Sequence, residues 1–261
     1  MESLRIAASG MAAQQKRVAV ISNNISNMST TAYAPRSVEF ADLHYQQVLR
    51  PGTISSQTGT VVPAGIQLGT GVRLSAVTMS LEQGGLRESN GDLDLAIEGR
   101  GFFEITLPSG EAGYTRDGNF NRNAEGEMVT SEGYPLADGI VIPDDALQVS
   151  INQDGEVYAY FSNAVAAQQV GTIGLTVFSN PTGLEALGGN LYKATEASGS
   201  PVIGAPGQNG VGNMRQGFLE ESGVDVVNEI SDLIEAQRGY ELNSKVITAS
   251  DEMLSTMVRM R

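Results

Sequence analysis

The sequence predicts an α+β protein, in which long N- and C-terminal helices form a coiled-coil-like inner domain and flank a central, mainly antiparallel β domain. Three observations predict it. Apolar residues recur every seven positions through the first 28 residues, and again through the last 36. Between them, short alternating apolar runs are punctuated by turns such as Asn90-Gly91, Asp117-Gly118, Asp138-Gly139 and Asp154-Gly155. Asn-Gly and Asp-Gly between apolar runs signal hairpins, because their positive-φ turns match the twist of the strands they join.

In the N-terminal segment Leu4, Met11, Val18 and Ile25 form one line, and Ala7, Gln14, Ile21 and Met28 a second line offset by three. Gln14 is the polar intruder, of the kind that fixes register at some cost in stability. The helix should end near Asn27, where Ser29, Thr30 and Thr31 favour turns, and Pro35 closes off any continuation. In the C-terminal segment Val226, Leu233, Tyr240, Ile247 and Leu254 form an unbroken line, flanked by Ile230 and Val258. Asp225 and Ser222 are the candidate N-caps, and Glu229 sits early, where a carboxylate suits the helix dipole. The two helices would run roughly 40 and roughly 50 Å at ~1.5 Å per residue. Helices of this kind are marginal in water without a partner. The candidate assembly interface is therefore Leu4, Met11, Val18, Ile21, Ile25, Val226, Ile230, Leu233, Tyr240, Ile247 and Leu254.

The expected division is a helical assembly domain (1–36 with 219–261), an extended connector or hairpin region (37–80) and a β domain (81–218). Within the connector, the stretch from Arg50 to Arg73 is poor in charge and rich in Gly, Pro, Ser and Thr.

The formal net charge of −14 argues against nucleic acid, whose phosphates would be repelled. Charge is uneven: residues 1–36 hold four basic residues against one acidic, and residues 219–261 hold nine acidic against four basic. Opposite signs favour pairing of the two ends at modest salt. There is no Cys, which excludes disulfides and thiolate chemistry. No run approaches the ~18–20 apolar residues of a membrane span. Arg5, Lys16 and Arg17 break up the N-terminus, which lacks the apolar run of a secretory signal, so these features alone point to the cytoplasm.

Material for catalysis is sparse. The one histidine, His44, lies beside Tyr45 in an expected helix or turn and lacks triad partners. Asp92 and Asp94 would share a strand face as paired acids, and they fit better the acidic, water-facing side of a strand whose Leu93 and Leu95 face inward. Asp117, Asn119, Asn121 and Asn123 resemble a calcium loop, but Arg122 and Met128 occupy positions that need Gly and a bidentate acid. Asn152-Gln153-Asp154-Gly155 is a turn before it is a metal site. Gly69/Gly71 and Gly99/Gly101 lack a Walker lysine and a βαβ setting. The expectation is a structural protein with no cofactor, no metal and no catalytic residues. The rival class is a β-domain binding module on a coiled-coil stalk.

Ala8-Ser9-Gly10-Met11 followed by Asn23-Asn24-Ile25-Ser26-Asn27-Met28-Ser29-Thr30-Thr31-Ala32-Tyr33 resembles the N-terminal signature of bacterial flagellar rod and hook proteins. Leu93-Asp94-Leu95-Ala96-Ile97-Glu98-Gly99-Arg100-Gly101-Phe102-Phe103 and Tyr114-Thr115-Arg116-Asp117-Gly118-Asn119-Phe120 look like the family's β-domain motifs. Ala236-Gln237-Arg238-Gly239-Tyr240-Glu241-Leu242-Asn243 and Asp251-Glu252-Met253-Leu254 resemble its C-terminal signature. The motif positions singled out are Asn23, Asn24, Asn27, Thr31, Tyr33, Gln237, Arg238, Tyr240, Glu241 and Asn243. Length, Gln67-Leu68-Gly69-Thr70-Gly71-Val72 and Phe178-Ser179-Asn180-Pro181 place it nearest the distal rod members, with proximal rod subunits as the alternative. Ala32 stands where the family usually has Gly. The resemblance implies a hollow helical drive shaft that transmits torque, built by self-assembly, its terminal helices forming the inner tube. It implies export through the flagellar type III apparatus, a place in the basal body across the periplasm, and several contacts. These are with proximal rod subunits, the hook protein, and the outer-membrane and peptidoglycan ring proteins.

Overall fold

The computed structural model describes residues 2–51, 64–162, 166–208 and 210–259. Two compact units emerge: Met1–Ser26, Arg36–Met79 and Asp225–Arg261 form one, and Asn27–Pro35 with Ser80–Val224 the other.

In the first unit, α1 (Glu2–Ser26) and α2 (Val226–Arg259) are the two long helices. Asp225 caps α2 as its side chain suggests: Oδ1 accepts the backbone N–H groups of Val227 (3.0 Å) and Asn228 (3.2 Å), satisfying donors that have no partner within the helix. The region expected as a connector forms nested hairpins grouped with the helices. β1 (Arg36–Asp42) pairs antiparallel with β4 (Val72–Met79), with a bulge between Glu39 and Phe40. Inside them β2 (Gln46–Leu49) pairs with β3 (Ile66–Leu68). Ser9 Oγ on α1 accepts the N–H of Val72 at 3.3 Å and so anchors the start of β4. His44 lies in the loop between β1 and β2 and is exposed, not in a helix. Half of the charge-poor Arg50–Arg73 stretch, residues 52–63, lies outside the described residues.

The second unit is antiparallel β throughout its named pairings. Its strands are β5 (Leu86–Glu88), β6 (Leu95–Glu98), β7 (Phe103–Thr106), β8 (Ala112–Thr115), β9 (Phe120–Arg122), β10 (Met128–Thr130), β11 (Ala146–Ile151) and β12 (Glu156–Phe161). They continue with β13 (Gln168–Thr172), β14 (Leu175–Val177), β15 (Glu185–Gly188), β16 (Leu191–Lys193), β17 (Val202–Gly204), β18 (Asn213–Gln216) and β19 (Phe218–Glu220). The sheet order β15-β16-β8-β7 is the widest, β11-β12-β13 comes next, and β9-β10, β14-β17, β6-β18 and β5-β19 are pairs. Leu95, Ile97, Phe103, Ile105, Val157 and Leu175 are fully buried and form the heart of one core. Phe103 and Phe120 meet edge to face at 5.1 Å, as do Tyr114 and Phe178 at 4.8 Å, the geometry that ring quadrupoles favour.

Polar groups buried beside that core are paired. Arg116 Nε donates to Glu220 Oε2 at 2.9 Å, and its Nη1 donates to the carbonyls of Gly99 and Gly101, each at 3.1 Å. Glu220 Oε1 accepts the N–H of Gly84 at 3.1 Å. The ion pair thus ties four chain segments together. Ala32, whose N–H donates to the Glu220 carbonyl at 2.9 Å, holds a left-handed φ of 52°, a conformation that costs an L-residue about 1–2 kcal/mol.

Candidate assembly interface on the terminal helices

α1 and α2 pair antiparallel, and the pairing can be read rung by rung. Ser3 Oγ lies 3.4 Å from Ser250 Oγ. A Cβ on Gly10 would fall 2.9 Å from the Asn243 amide, and one on Gly239 would fall 3.2 Å from Gln14 Cδ. Arg17 bridges Asp232 (3.0 Å) and Glu235 (3.1 Å). Asn24 Nδ2 donates to Glu229 Oε1 at 2.8 Å. On α1 the rungs Ser3, Ala7, Gly10, Gln14, Arg17, Ile21 and Asn24 keep a strict four-three spacing, with Ala7 and Ile21 buried. On α2, Ala236 is fully buried and Ser250 nearly so. The amides of Gln14 and Asn243 each sit opposite a glycine, which lets the axes approach and ties the register to two amide–glycine layers.

Asn24, itself buried, also ties the hairpin to β1. Its Oδ1 accepts the N–H of Arg36 at 3.0 Å, and its Nδ2 donates to the Arg36 carbonyl at 2.8 Å. It therefore behaves as a neighbouring strand would. Burial pushes the Glu229 carboxyl above its usual range, and Asp232 and Asp225 push the same way, while the Asn24 hydrogen bond holds it down.

This small and polar seam is not the apolar line that periodicity picked out. Ile21 is a seam residue, but Leu4, Met11, Val18 and Ile25 are half-buried beside it. Val226, Leu233 and Ile247 are likewise half-buried, whereas Ile230, Tyr240 and Leu254 are exposed. At about 100° per residue, both lines lie on one flank of the antiparallel pair. The two lines converge at a cavity of about 360 Å³ lined by Gln15, Val18, Gln237, Tyr240 and Glu241. Met28 lies past the end of α1 and is exposed. The rest of α2 leaves further apolar side chains in water: Val227 is 74% exposed, Ile234 50%, Leu242 63% and Met253 61%.

The remaining motif positions divide between contacts and surface. Asn23 and Arg238 are exposed. Asn27 carbonyl accepts the N–H of Thr30 at 3.1 Å, starting the turn after α1. Thr31 carbonyl accepts Asn190 Nδ2 at 2.9 Å, and Tyr33 carbonyl accepts the N–H of Gly223 at 3.0 Å. Gly10, Gly239, Arg17, Asp232, Glu235 and Ala236 are seam residues that apolar periodicity passed over. Their signal was the four-three spacing of small and charged residues.

The residues considered for chemistry have structural work. Asp94 accepts the Ser89 hydroxyl at 2.5 Å, and Asp92 is exposed. Burial raises the Asp117 pKa against the opposing hydrogen bonds from Asn119 and Asn190. The calcium-like run and the Asn152 turn are one device used twice. Asn123 Oδ1 accepts the N–H groups of Glu125 and Glu127 while its Nδ2 donates to the Glu127 carboxylate. Asn152 repeats each contact with Asp154 and Glu156. Among the described residues no group of three or more His, Asp or Glu side chains is placed to hold a metal.

A β unit linked to paired helices whose bulky apolar residues remain half-covered defines an assembly protein. The family description "Flagella basal body rod protein" matches residues 4–33, "Flagellar hook protein FlgE/F/G D1 domain" residues 96–159 and "Flagellar basal body rod FlgEFG protein C-terminal" residues 215–260. The chain is 48% identical over 261 residues, 100% of both sequences, to the flagellar basal-body rod protein FlgG of Caulobacter vibrioides. It is 46% identical to the FlgG of Agrobacterium fabrum, covering 98% of this chain and 97% of that one, and 36% identical to the FlgG of Bacillus subtilis, covering 100% and 99%. A solved Helicobacter pylori hook protein, FlgE2, overlaps 71% of this chain and 43% of its own at 16% identity, with a TM-score of 0.25, too slight to bear on the fold. This chain belongs to the flagellar basal-body rod family.

Proposed function

We propose that the chain is a structural subunit of the distal rod, polymerising into the hollow helical shaft that carries torque from motor to hook. The observation that carries this reading is the division of labour on the helices: the intrachain seam uses small and polar residues, so the large apolar side chains remain for neighbouring copies. Buried fully, each contributes ~1.5–3 kcal/mol. Copies related by a screw operation make heterologous contacts, which propagate instead of closing. On this reading 1–36 and 219–261 serve assembly, 37–80 adds contacts between copies, and 81–218 is the folded β domain. The partners are further copies of the chain, proximal rod subunits, the hook protein, the outer-membrane and peptidoglycan rings, and the flagellar export apparatus that delivers it to the basal body. No catalytic role is assigned, and replacing the exposed His44 and Asp92 together should leave motility intact.

Leu233→Asp and Ile247→Asp test the reading. Both should abolish polymers in electron micrographs and sedimentation while monomer circular dichroism stays unchanged. Normal polymers from either variant would remove the apolar flank from the assembly contact.

A further inference from the structure

We propose that the β unit carries a second contact between copies, in which the open edge of β17 in one copy adds to the open edge of β15 in the next; this rests on the rod-subunit reading above. Phe102, immediately before β7, exchanges both backbone hydrogen bonds with Thr176 at the centre of β14, each 2.9 Å. That bridge joins β14-β17 to the wider sheet, giving the order β15-β16-β8-β7-β14-β17. Its two edges, β15 and β17, have no further strand beside them among the described residues.

The β17 edge is ready to pair. In an antiparallel strand the N–H and C=O of one residue point to the same side, and successive residues alternate. Thr176 spends both groups on Phe102, so Leu175 and Val177 are the residues that exchange bonds with Gly204 and Val202. Ile203 therefore points its N–H and C=O away from β14, toward the open edge. Its side chain is 67% exposed and that of Val202 62%. Natural edges are usually guarded by charge or a bulge, yet no charged residue occurs from Ala197 to Met214 in a chain of net charge −14. On so acidic a molecule, an uncharged edge is where a second copy approaches with least repulsion.

The β15 edge differs. All its residues are exposed, and it carries the guards that β17 lacks: Glu185, and a bulge between Ala186 and Gly188 that leaves Leu187 with no residue opposite it on β16. Because the two edges are unlike and close opposite ends of one sheet, joining them is heterologous and repeats along a line. Pairing β17 with β17 would close a dimer and end growth. Strand addition needs an extended main chain as partner, which β15 supplies over Glu185–Leu187, before Gly188 turns to a φ of 97°.

Ile203→Pro in the full chain removes the outward N–H but keeps the β14 ladder, a replacement that edge strands accept. Ile203→Lys keeps the backbone and guards the edge with charge. Thermal unfolding checks that each variant is folded. Both should raise the critical concentration for polymerisation by about tenfold, equivalent to ~1.4 kcal/mol per contact. Since the chain has no Cys, copies bearing Cys at Val202 or Ile203 can be mixed with copies bearing Cys at Ala186 or Leu187 and oxidised during polymerisation. Cross-links should form in the mixtures and not in any variant alone. Self-linking at Val202 or Ile203 would overturn the proposal in favour of a closed pair. Polymers that neither cross-link nor respond to the Ile203 variants would overturn it and leave the rod reading standing. Failure of the unaltered chain to polymerise would overturn both.

Discussion

Asn24→Ala should uncouple the helical hairpin from β1 with one substitution. Asn24 is buried, and its hydrogen bonds include two to the Arg36 main chain at 3.0 and 2.8 Å and one to the Glu229 carboxylate at 2.8 Å. A neutral bond contributes about 1 kcal/mol and one to a charged group about 1.5–3. Arg36 is exposed and Glu229 half-exposed, so water recovers part of each. The net loss should be about 3 kcal/mol, read from urea unfolding of the full chain by circular dichroism. A second signature follows from Glu229. The Asn24 bond is what lowers its pKa against burial, so the variant should destabilise the hairpin more at pH 7 than at pH 4, where the carboxyl is largely protonated. A loss below ~1 kcal/mol, or an equal loss at both pH values, would refute the role given to Asn24.

Other predictions concern separate features. Because the folded state raises the Glu229 pKa above its ordinary 4.5, the folded chain holds that proton to higher pH than the unfolded chain does, and this contribution to stability fades as pH rises through the folded pKa. Glu229→Gln should therefore stabilise the protein at pH 7, with the gain vanishing as pH falls well below the ordinary 4.5 in thermal scans. Arg116→Met strands Glu220 in the core and should cost about 3–5 kcal/mol, while adding Glu220→Gln should restore a large part of it in a double-mutant cycle. Ala32→Gly relieves a left-handed residue and should raise stability by roughly 0.5–1 kcal/mol after the extra chain entropy of Gly, measured as a higher urea midpoint.

Features set by local chemistry were legible in the sequence, and those set by distant pairing were not. The two helices, the Asp225 cap and the Asp154-Gly155 turn between β11 and β12 follow from spacing and turn residues within a few positions, whereas Asn90-Gly91, Asp117-Gly118 and Asp138-Gly139 join no two paired strands. The intrachain seam does not, because apolar periodicity marks where large side chains lie and not which face the monomer covers. Ser3, Ala7, Gly10 and Gln14 carry almost no hydropathy, yet they determine which faces meet. Arg116 and Glu220 stand 104 residues apart, so no local pattern pairs them. The calcium-like run shows the opposite error: Asn123 repeats a ligand spacing because an Asx turn needs the same acceptor oxygens, and its carboxylate neighbour Glu127 takes the amide donor.

The composition of the seam also links folding to assembly. A pairing of Ser, Ala, Gly and amide side chains removes little apolar area from water, so α1 and α2 gain modest stability from each other. Val227, Leu242, Met253 and Val258 remain more than half exposed on α2, and a soluble monomer gains nothing from them there. If neighbours bury them, the stabilisation appears only in the polymer, and the hairpin borrows it by mass action. The same residues that make the isolated helices marginal then make the filament firm. A seam of Leu and Ile would reverse this, giving a stable monomer with little left to join.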